Sequence, residues 1–203
     1  WKYPNQGLTN APTPLVIGKS QLLVAGQGCD GTRLLDVSSG SNGVNPTERW
    51  HSSRHKPFYC NSAIVDQKLI GFAGSTANCV DLENGKILWQ KRGFTDANVV
   101  HVNGEIIFVR GDGQLSRCKA TDEGLTVLSQ RDVTFDRYWA PPLLLDNGLI
   151  LRGRSQLIRV ELSSLLPEGE SKRSDIELTS MEAMYGEVPP ATKRLLAELN
   201  AKS

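Results

Sequence analysis

The chain has 203 residues and a formal net charge of +1, with 39% hydrophobic and 22% charged side chains. It is long enough for one domain with a sizeable core, and the balanced charge gives no electrostatic case for nucleic acid or an anionic membrane. No apolar run approaches the ~18 residues that a membrane-spanning helix needs.

Trp1-Lys2-Tyr3 alternates like the fourth strand of a repeat whose first three strands are missing. With no initiator Met or signal-peptide pattern, the start reads as that of a processed or truncated segment. Leu15-Val16-Ile17, a turn at Gly18-Lys19 and residues 21–25 form a first hairpin. A third strand over residues 32–37 is closed by Ser38-Ser39-Gly40. A polar, Gly-rich insertion over residues 41–47 then precedes the short strand Glu48-Arg49-Trp50.

The clearest unit spans residues 62–90. Ala63-Ile64-Val65, the turn Asp66-Gln67 and the apolar Leu69, Ile70 and Phe72 make a hairpin. Residues 78–82 are its third strand, Glu83-Asn84-Gly85 supplies a tight turn, and residues 86–90 are its fourth. Trp89 here corresponds to Trp50. In the next unit, Asn103-Gly104 between residues 98–102 and 105–109 is the strongest short hairpin signal in the chain. Residues 115–119 and 125–130 complete that unit. A last one comprises residues 142–145, the turn Asn147-Gly148, and residues 149–151 and 157–162.

One such meander cannot bury its apolar face alone, whereas stacked copies can. The turns at Gly18, Asp66, Asn103 and Asn147 recur at roughly 40-residue intervals, a spacing that suits four-stranded propeller blades. The predicted fold is all-β: a β-propeller segment of about four blades, each of four antiparallel strands, over residues 1–163. Residues 164–203 form a polar linker and a tail. In it Ile176 and Leu178 could add a strand, and Leu195, Leu196 and Leu199 line one face of a short helix.

The four cysteines, Cys29, Cys60, Cys79 and Cys118, lack Cys-x-x-Cys spacing and His-rich surroundings, so neither a disulfide framework nor a zinc site has a signature. Cys79 and Cys118 fall at the same place in successive third strands, where a small buried apolar residue is expected.

The run Cys79-Val80-Asp81-Leu82-Glu83-Asn84-Gly85-Lys86-Ile87-Leu88-Trp89-Gln90 resembles the repeat of pyrroloquinoline-quinone-like β-propellers, whose blades end in Asp-x-x-x-Gly-Lys-x-x-Trp. The motif is complete at Asp81, Gly85, Lys86 and Trp89, partial at Asp36, Gly40 and Trp50, and weak in the third and fourth units. Trp139-Ala140-Pro141-Pro142 and Leu151-Arg152 also resemble the last blades of a bacterial quinoprotein subgroup. The resemblance implies the C-terminal half of a seven- or eight-bladed ring in a periplasmic or secreted setting, with a missing N-terminal half as one partner. A closed four-bladed ring, with Trp1 to Tyr3 completing the last blade, is the lesser expectation. The family's dehydrogenases use an adjacent Cys-Cys pair, calcium ligands and a catalytic Asp. No Cys-Cys pair occurs here, and no acidic cluster matches the calcium site. Other relatives, among them the lipoprotein of the outer-membrane β-barrel assembly machine, bind partner chains instead.

Gly26-Gln27-Gly28-Cys29-Asp30-Gly31 matches the dinucleotide fingerprint, but no helix can follow it, so loop glycines are expected. His51, Ser52, Ser53, Arg54 and His55 follow an outer strand. Without an Asp-bearing elbow or oxyanion loop they suit partner contact better than nucleophilic catalysis. His101 reads as a partly buried packing residue. Arg110-Gly111-Asp112 reads as a hairpin turn rather than an integrin motif. Arg152, Arg154 and Arg159 could line the central channel and hold an anion or a carboxylate. The tryptophans are expected to anchor blade packing.

The expected function is therefore a non-catalytic binding or scaffold propeller that engages a protein or glycan through loops on one face, without a cofactor. The alternative is the C-terminal half of a quinone-dependent alcohol dehydrogenase, taking pyrroloquinoline quinone with calcium, with its catalytic residues outside this segment.

Overall fold

The structure, a computed structural model, describes residues 1–4, 12–26, 31–40, 43–94, 97–133 and 140–165. The first sheet holds β1 (Leu15–Ile17), β2 (Gln21–Gly26), β3 (Gly31–Gly40) and β4 (Gly43–Ser52). The second holds β5 (Ala63–Val65), β6 (Lys68–Ala73), β7 (Thr76–Asp81) and β8 (Ile87–Arg92). The third holds β9 (Ala97–Val102), β10 (Glu105–Arg110), β11 (Gln114–Ala120) and β12 (Leu125–Asp132). Among the described residues the fourth has three strands, β13 (Leu143–Leu144), β14 (Gly148–Arg152) and β15 (Leu157–Glu161), followed by a 3-10 turn at Leu162–Leu165. Every sheet is an antiparallel meander in which sequence neighbours pair.

The tight turns carry the backbone that their residues favour. Asn103 and Gly104 both have positive φ, at 49° and 77°, as a two-residue hairpin turn twisted like its flanking strands requires. Asp66 and Gln67 do the same at 45° and 62° without a glycine.

Three apolar layers join the four sheets in series. Leu23, Leu34 and Trp50 of the first sheet pack on Leu69, Val80 and Leu82 of the second. The opposite face of the second sheet, with Ile70, Phe72 and Ala77, meets Val99, Ile106 and Phe108 of the third. The rings of Phe72, Phe94 and Phe108 meet there at centroid separations of 5.0–6.4 Å. The other face of the third sheet, with Ile107, Val109 and Leu115, covers Leu144, Leu149 and Leu151 of the fourth. Strand alternation explains the apolar runs of β6 and β10: odd and even residues each face a neighbouring sheet. Ile106 and Phe108 belong to one layer, Ile107 and Val109 to the next.

The first strands of the second and third sheets touch, as β5 and β9. Backbone-anchored bonds link the strand entrances in sequence. The Thr13 amide donates to Asn61 Oδ1 (3.0 Å), the Asn61 amide to Asn98 Oδ1 (3.1 Å), and Asn98 Nδ2 to the Ala140 carbonyl (3.3 Å). Antiparallel order also fixes two ends of the molecule. First-to-second and third-to-fourth turns lie at one, the turn end. Second-to-third turns and the connections between sheets lie at the other, the connection end.

Several expectations change. Trp1 to Tyr3 form no strand; instead the Tyr3 hydroxyl donates to Glu48 on β4 (2.7 Å). The predicted insertion over residues 41–47 mostly belongs to a ribbon, with β3 and β4 pairing out to Gly40 and Gly43. Both faces of that ribbon are largely solvated, so pairing there left no apolar alternation to read, and Pro46 is tolerated on the outermost strand. Cys79 and Cys118 do not occupy equivalent positions. Cys79 pairs with Ile70, three residues past its hairpin turn, and Cys118 with Ile106, two past its own. A one-residue slip exchanges faces. Both thiols thus enter the same layer, between the second and third sheets, from opposite sides. Cys29, Trp139, residues 27–30 of the glycine-rich stretch and the tail from residue 166 onward lie outside the described residues.

Candidate functional site

Each of the first three sheets has one irregularity between its third and fourth strands, at Leu34/Leu35, Cys79/Val80 and Arg117/Cys118. The residue skipped on the outer strand is Arg49, Leu88 or Leu128, and the next one is Trp50, Trp89 or Ser129. A bulge re-aims the side chain that follows it, and all three reach the next sheet. Trp50 Nε1 donates to the Leu82 carbonyl (2.8 Å) and Trp89 Nε1 to the Thr121 carbonyl (2.8 Å). The Ser129 hydroxyl donates to the Leu165 carbonyl.

The receiving turn explains the rest of the repeat motif. Asp81 folds it by accepting the Glu83 amide at Oδ1 (2.8 Å) and Asn84 Nδ2 at Oδ2 (2.5 Å), while its carbonyl accepts the Gly85 amide (2.8 Å). Gly85 has φ +74°, and a Cβ there would stand 2.8 Å from the Trp50 ring. Lys86 is exposed and precedes β8. In the first sheet Asp36 lies within β3 and bonds Gln21 Nε2 (2.9 Å), and Gly40 ends the ribbon. The partial match there is therefore not the same turn.

The connection from the first sheet to the second runs over residues 53–62 and bridges Lys56 to Ala73. At its centre His55 is wholly buried. Nδ1 donates to Asn78 Oδ1 (2.5 Å) and Nε2 accepts from the Ser62 hydroxyl (2.9 Å). That tautomer follows from Asn78, whose Nδ2 donates to the Arg54 carbonyl (3.3 Å) and so leaves its oxygen toward the ring. Thr32 of β3 donates to the His55 carbonyl (3.0 Å). Gly71 makes room for the ring, since a Cβ there would lie 2.6 Å from Cε1. Burial pushes the imidazole down to about 4, against a smaller upward pull from Asn78. His55 is thus a neutral structural clamp between the first two sheets.

The predicted contact stretch therefore divides. His55 and Ser52 are buried and cannot meet a partner, whereas His51, Ser53 and Arg54 are exposed. Arg54 donates to Gln90 of the neighbouring sheet (2.6 Å), and the exposed Tyr59 packs edge-on against Phe58 in the same connection. The single clue in sequence to His55 was its place after Ser52-Ser53-Arg54. Nothing local distinguished it from His51, because its partners are 7 and 23 residues away.

Other predicted residues are placed as follows. His101 is half-buried, and burial lowers its titration; Nε2 accepts the Gly104 amide (3.2 Å). Arg110 pairs with Asp112 (2.6 Å), closing the tripeptide on itself. Arg152 ends β14 and Arg154 lies just beyond it, both exposed at the connection end. Arg159 points its charge toward the other end, at Glu161 (3.1 Å) and Asn147 (2.8 Å). Among the described residues no three His, Cys, Asp or Glu side chains gather as a metal site, and no helix is long and apolar enough to cross a membrane.

Cys60, Cys79 and Cys118 are buried, and burial pushes the thiols of Cys79 and Cys118 up to about 12. At pH 8 only about one in 10⁴ of either is thiolate, the reactive form. In the native protein both are expected to resist a disulfide-exchange reagent and to titrate only in denaturant. Reaction of either at the rate of a free thiol would show that this layer opens.

No family model matches the chain, and none of the curated proteins does. Solved structures do. BamB from Moraxella catarrhalis is similar with a TM-score of 0.55 and 15% identity, over 77% of this chain and 48% of that one. A chain of the Mitotic Checkpoint Complex gives 0.52 and 14%, over 73% and 60%. The computationally designed Ika4 protein gives 0.51 and 10%, over 78% and 93%. The chain thus spans about half the length of the BamB chain. Together with four antiparallel meander sheets that seal one another in series, these likenesses show a β-propeller fold.

Proposed function

We propose that the chain is a protein-binding scaffold propeller that presents its connection end to a partner. The observation that carries this reading is the division of labour in residues 51–59. His55 is clamped inside by Asn78 and Ser62, which fixes the connection while His51, Ser53, Arg54 and Tyr59 stand outward. Displayed loops on a rigid frame are where binding surfaces are usually built. Among the described residues, His55 and two of the cysteines are turned to structure: both ring nitrogens of His55 are engaged, and the thiols of Cys79 and Cys118 face an apolar layer. A propeller in the Mitotic Checkpoint Complex, by that name an assembly, is a use of the fold compatible with this reading. The resemblance to pyrroloquinoline-quinone-like repeats supports an extracytoplasmic setting as part of the proposal.

The test is co-purification from the native host with the chain and with a His51→Ala, Ser53→Ala, Arg54→Ala, Tyr59→Ala variant whose circular dichroism is unchanged. A stoichiometric partner lost from the variant is expected. Dye reduction with alcohol, dependent on added pyrroloquinoline quinone and calcium, would overturn the reading in favour of a dehydrogenase.

A further inference from the structure

The near-neutral net charge conceals a separation that the strand order creates. At the connection end stand Arg54, Lys56, Arg92, Arg131, Arg152 and Arg154, all exposed except the half-exposed Lys56. The anions described at that end are Asp112, tied to Arg110 (2.6 Å), and Asp132, which accepts from Gln114 (3.0 Å). Asp30, Asp96, Asp136 and Arg137 belong to connections outside the described residues, and counting them leaves the excess cationic. At the turn end the sign reverses. Asp66, Asp81, Glu83, Asp122, Glu123, Asp146 and Glu161 stand at or beside the turns, against Lys19, Lys68, Lys86 and Arg159. Lys68 is itself paired with Asp122 across two sheets (2.9 Å).

The two ends also differ in the kind of cation. The connection end is almost wholly arginine, whereas the turn end carries three lysines and a single arginine, Arg159, which is tied to Glu161 and Asn147. Arginine is the cation of protein interfaces, because its planar fork takes a carboxylate in two parallel bonds and sheds water more readily than an ammonium. From this placement we infer that the connection end binds an acidic segment of a protein partner, reading its carboxylates with Arg131, Arg152 and Arg154 of the third and fourth blades. The inference rests on the scaffold reading above and supplies the chemistry of its partner. A polypeptide fits better than a polyphosphate. Asp112 and Asp132 stand among the arginines and would repel a uniform polyanion, whereas a mixed peptide can meet both signs. The exposed Tyr59 at the same end adds an amphipathic contact of the sort interfaces favour.

The experiment uses fluorescence anisotropy of four probes with the whole chain: a Glu-rich peptide, its Gln-for-Glu counterpart, an oligothymidylate, and vesicles of phosphatidylglycerol in phosphatidylcholine. The Glu-rich peptide is expected to bind, the Gln counterpart not. Affinity should fall steeply with salt and by about tenfold or more in an Arg131→Gln, Arg152→Gln, Arg154→Gln variant. Lys19→Gln, Lys86→Gln at the other end should change nothing. Tighter binding of the oligothymidylate or the vesicles, or loss of affinity only in the lysine variant, overturns the inference. A partner captured as above whose binding ignores the arginine variant overturns the inference alone, while the scaffold reading stands.

Discussion

Between pH 6.5 and pH 4, His55 is expected to remove about 3 kcal/mol of folding stability. The unfolded chain protonates its imidazole near the ordinary value of 6.5, whereas the buried ring holds off the proton until about 4. The contribution is therefore fully present above 6.5, declines as the pH falls through this window, and changes no further below 4. The charged form is penalised because the site has no solvent, and the hydrogen bond to Asn78 offsets only part of that cost. His55→Gln keeps polar atoms near Asn78 and Ser62 but cannot titrate. At pH 7 the variant should be less stable by about 2–4 kcal/mol, the cost of disturbing a buried, bonded group. The gap should close toward pH 4, where wild type has lost the term the variant never had. Urea denaturation of both proteins across this range measures it. A gap that stays constant with pH would mean that the ring is not excluded from water when folded. Carboxylates such as Glu48, which the Tyr3 hydroxyl holds below its ordinary value, titrate alike in both proteins and cancel in the difference.

The second large effect concerns the indole bridges. Trp89→Ala is expected to cost about 3–5 kcal/mol, since it empties a packed site and strands the Thr121 carbonyl. Trp89→Phe keeps most of the ring and should cost about 1 kcal/mol, isolating the hydrogen bond. Gly85→Ala should cost about 2–4 kcal/mol, because φ +74° suits glycine and the new methyl would stand 2.8 Å from the Trp50 ring. The steric share is separable from the backbone share. In a Trp50→Ala background the ring is gone, so Gly85→Ala should then cost only the positive-φ penalty of about 1–2 kcal/mol. Thermal or urea unfolding of the four proteins closes the cycle. Strict additivity would show that Trp50 and Gly85 do not meet, and the explanation of the Asp-x-x-x-Gly-Lys-x-x-Trp repeat given above would fall with it.

These two contacts mark the boundary between what sequence settled and what it could not. The hairpins were legible because their signals are local. Asn103-Gly104 needs only its own φ values, and the apolar runs of β6 and β10 only their own composition. The all-β repeat, its roughly 40-residue period and the pairing of Trp50 with Trp89 in kind followed from the same short-range evidence. The extension of the β3–β4 ribbon through residues 38–47 escaped notice, since a hairpin end wet on both faces has no period to display.

What only the tertiary structure decided depends on which faces meet. Cys79 and Cys118 look equivalent along the chain, yet one residue of register turns them toward each other's sheet. His51 and His55 look alike, yet one stands in solvent and the other between Asn78 and Ser62. The charges sum to +1 along the chain, while antiparallel strand order carries an excess of arginines to one end and an excess of carboxylates to the other. Local sequence specifies φ, ψ and alternation. Burial, partner and field arise from the stacking of one sheet on the next, through contacts some 30 residues or more apart, as in the bonds of Trp50 and Trp89, and short-range pattern carries no record of them.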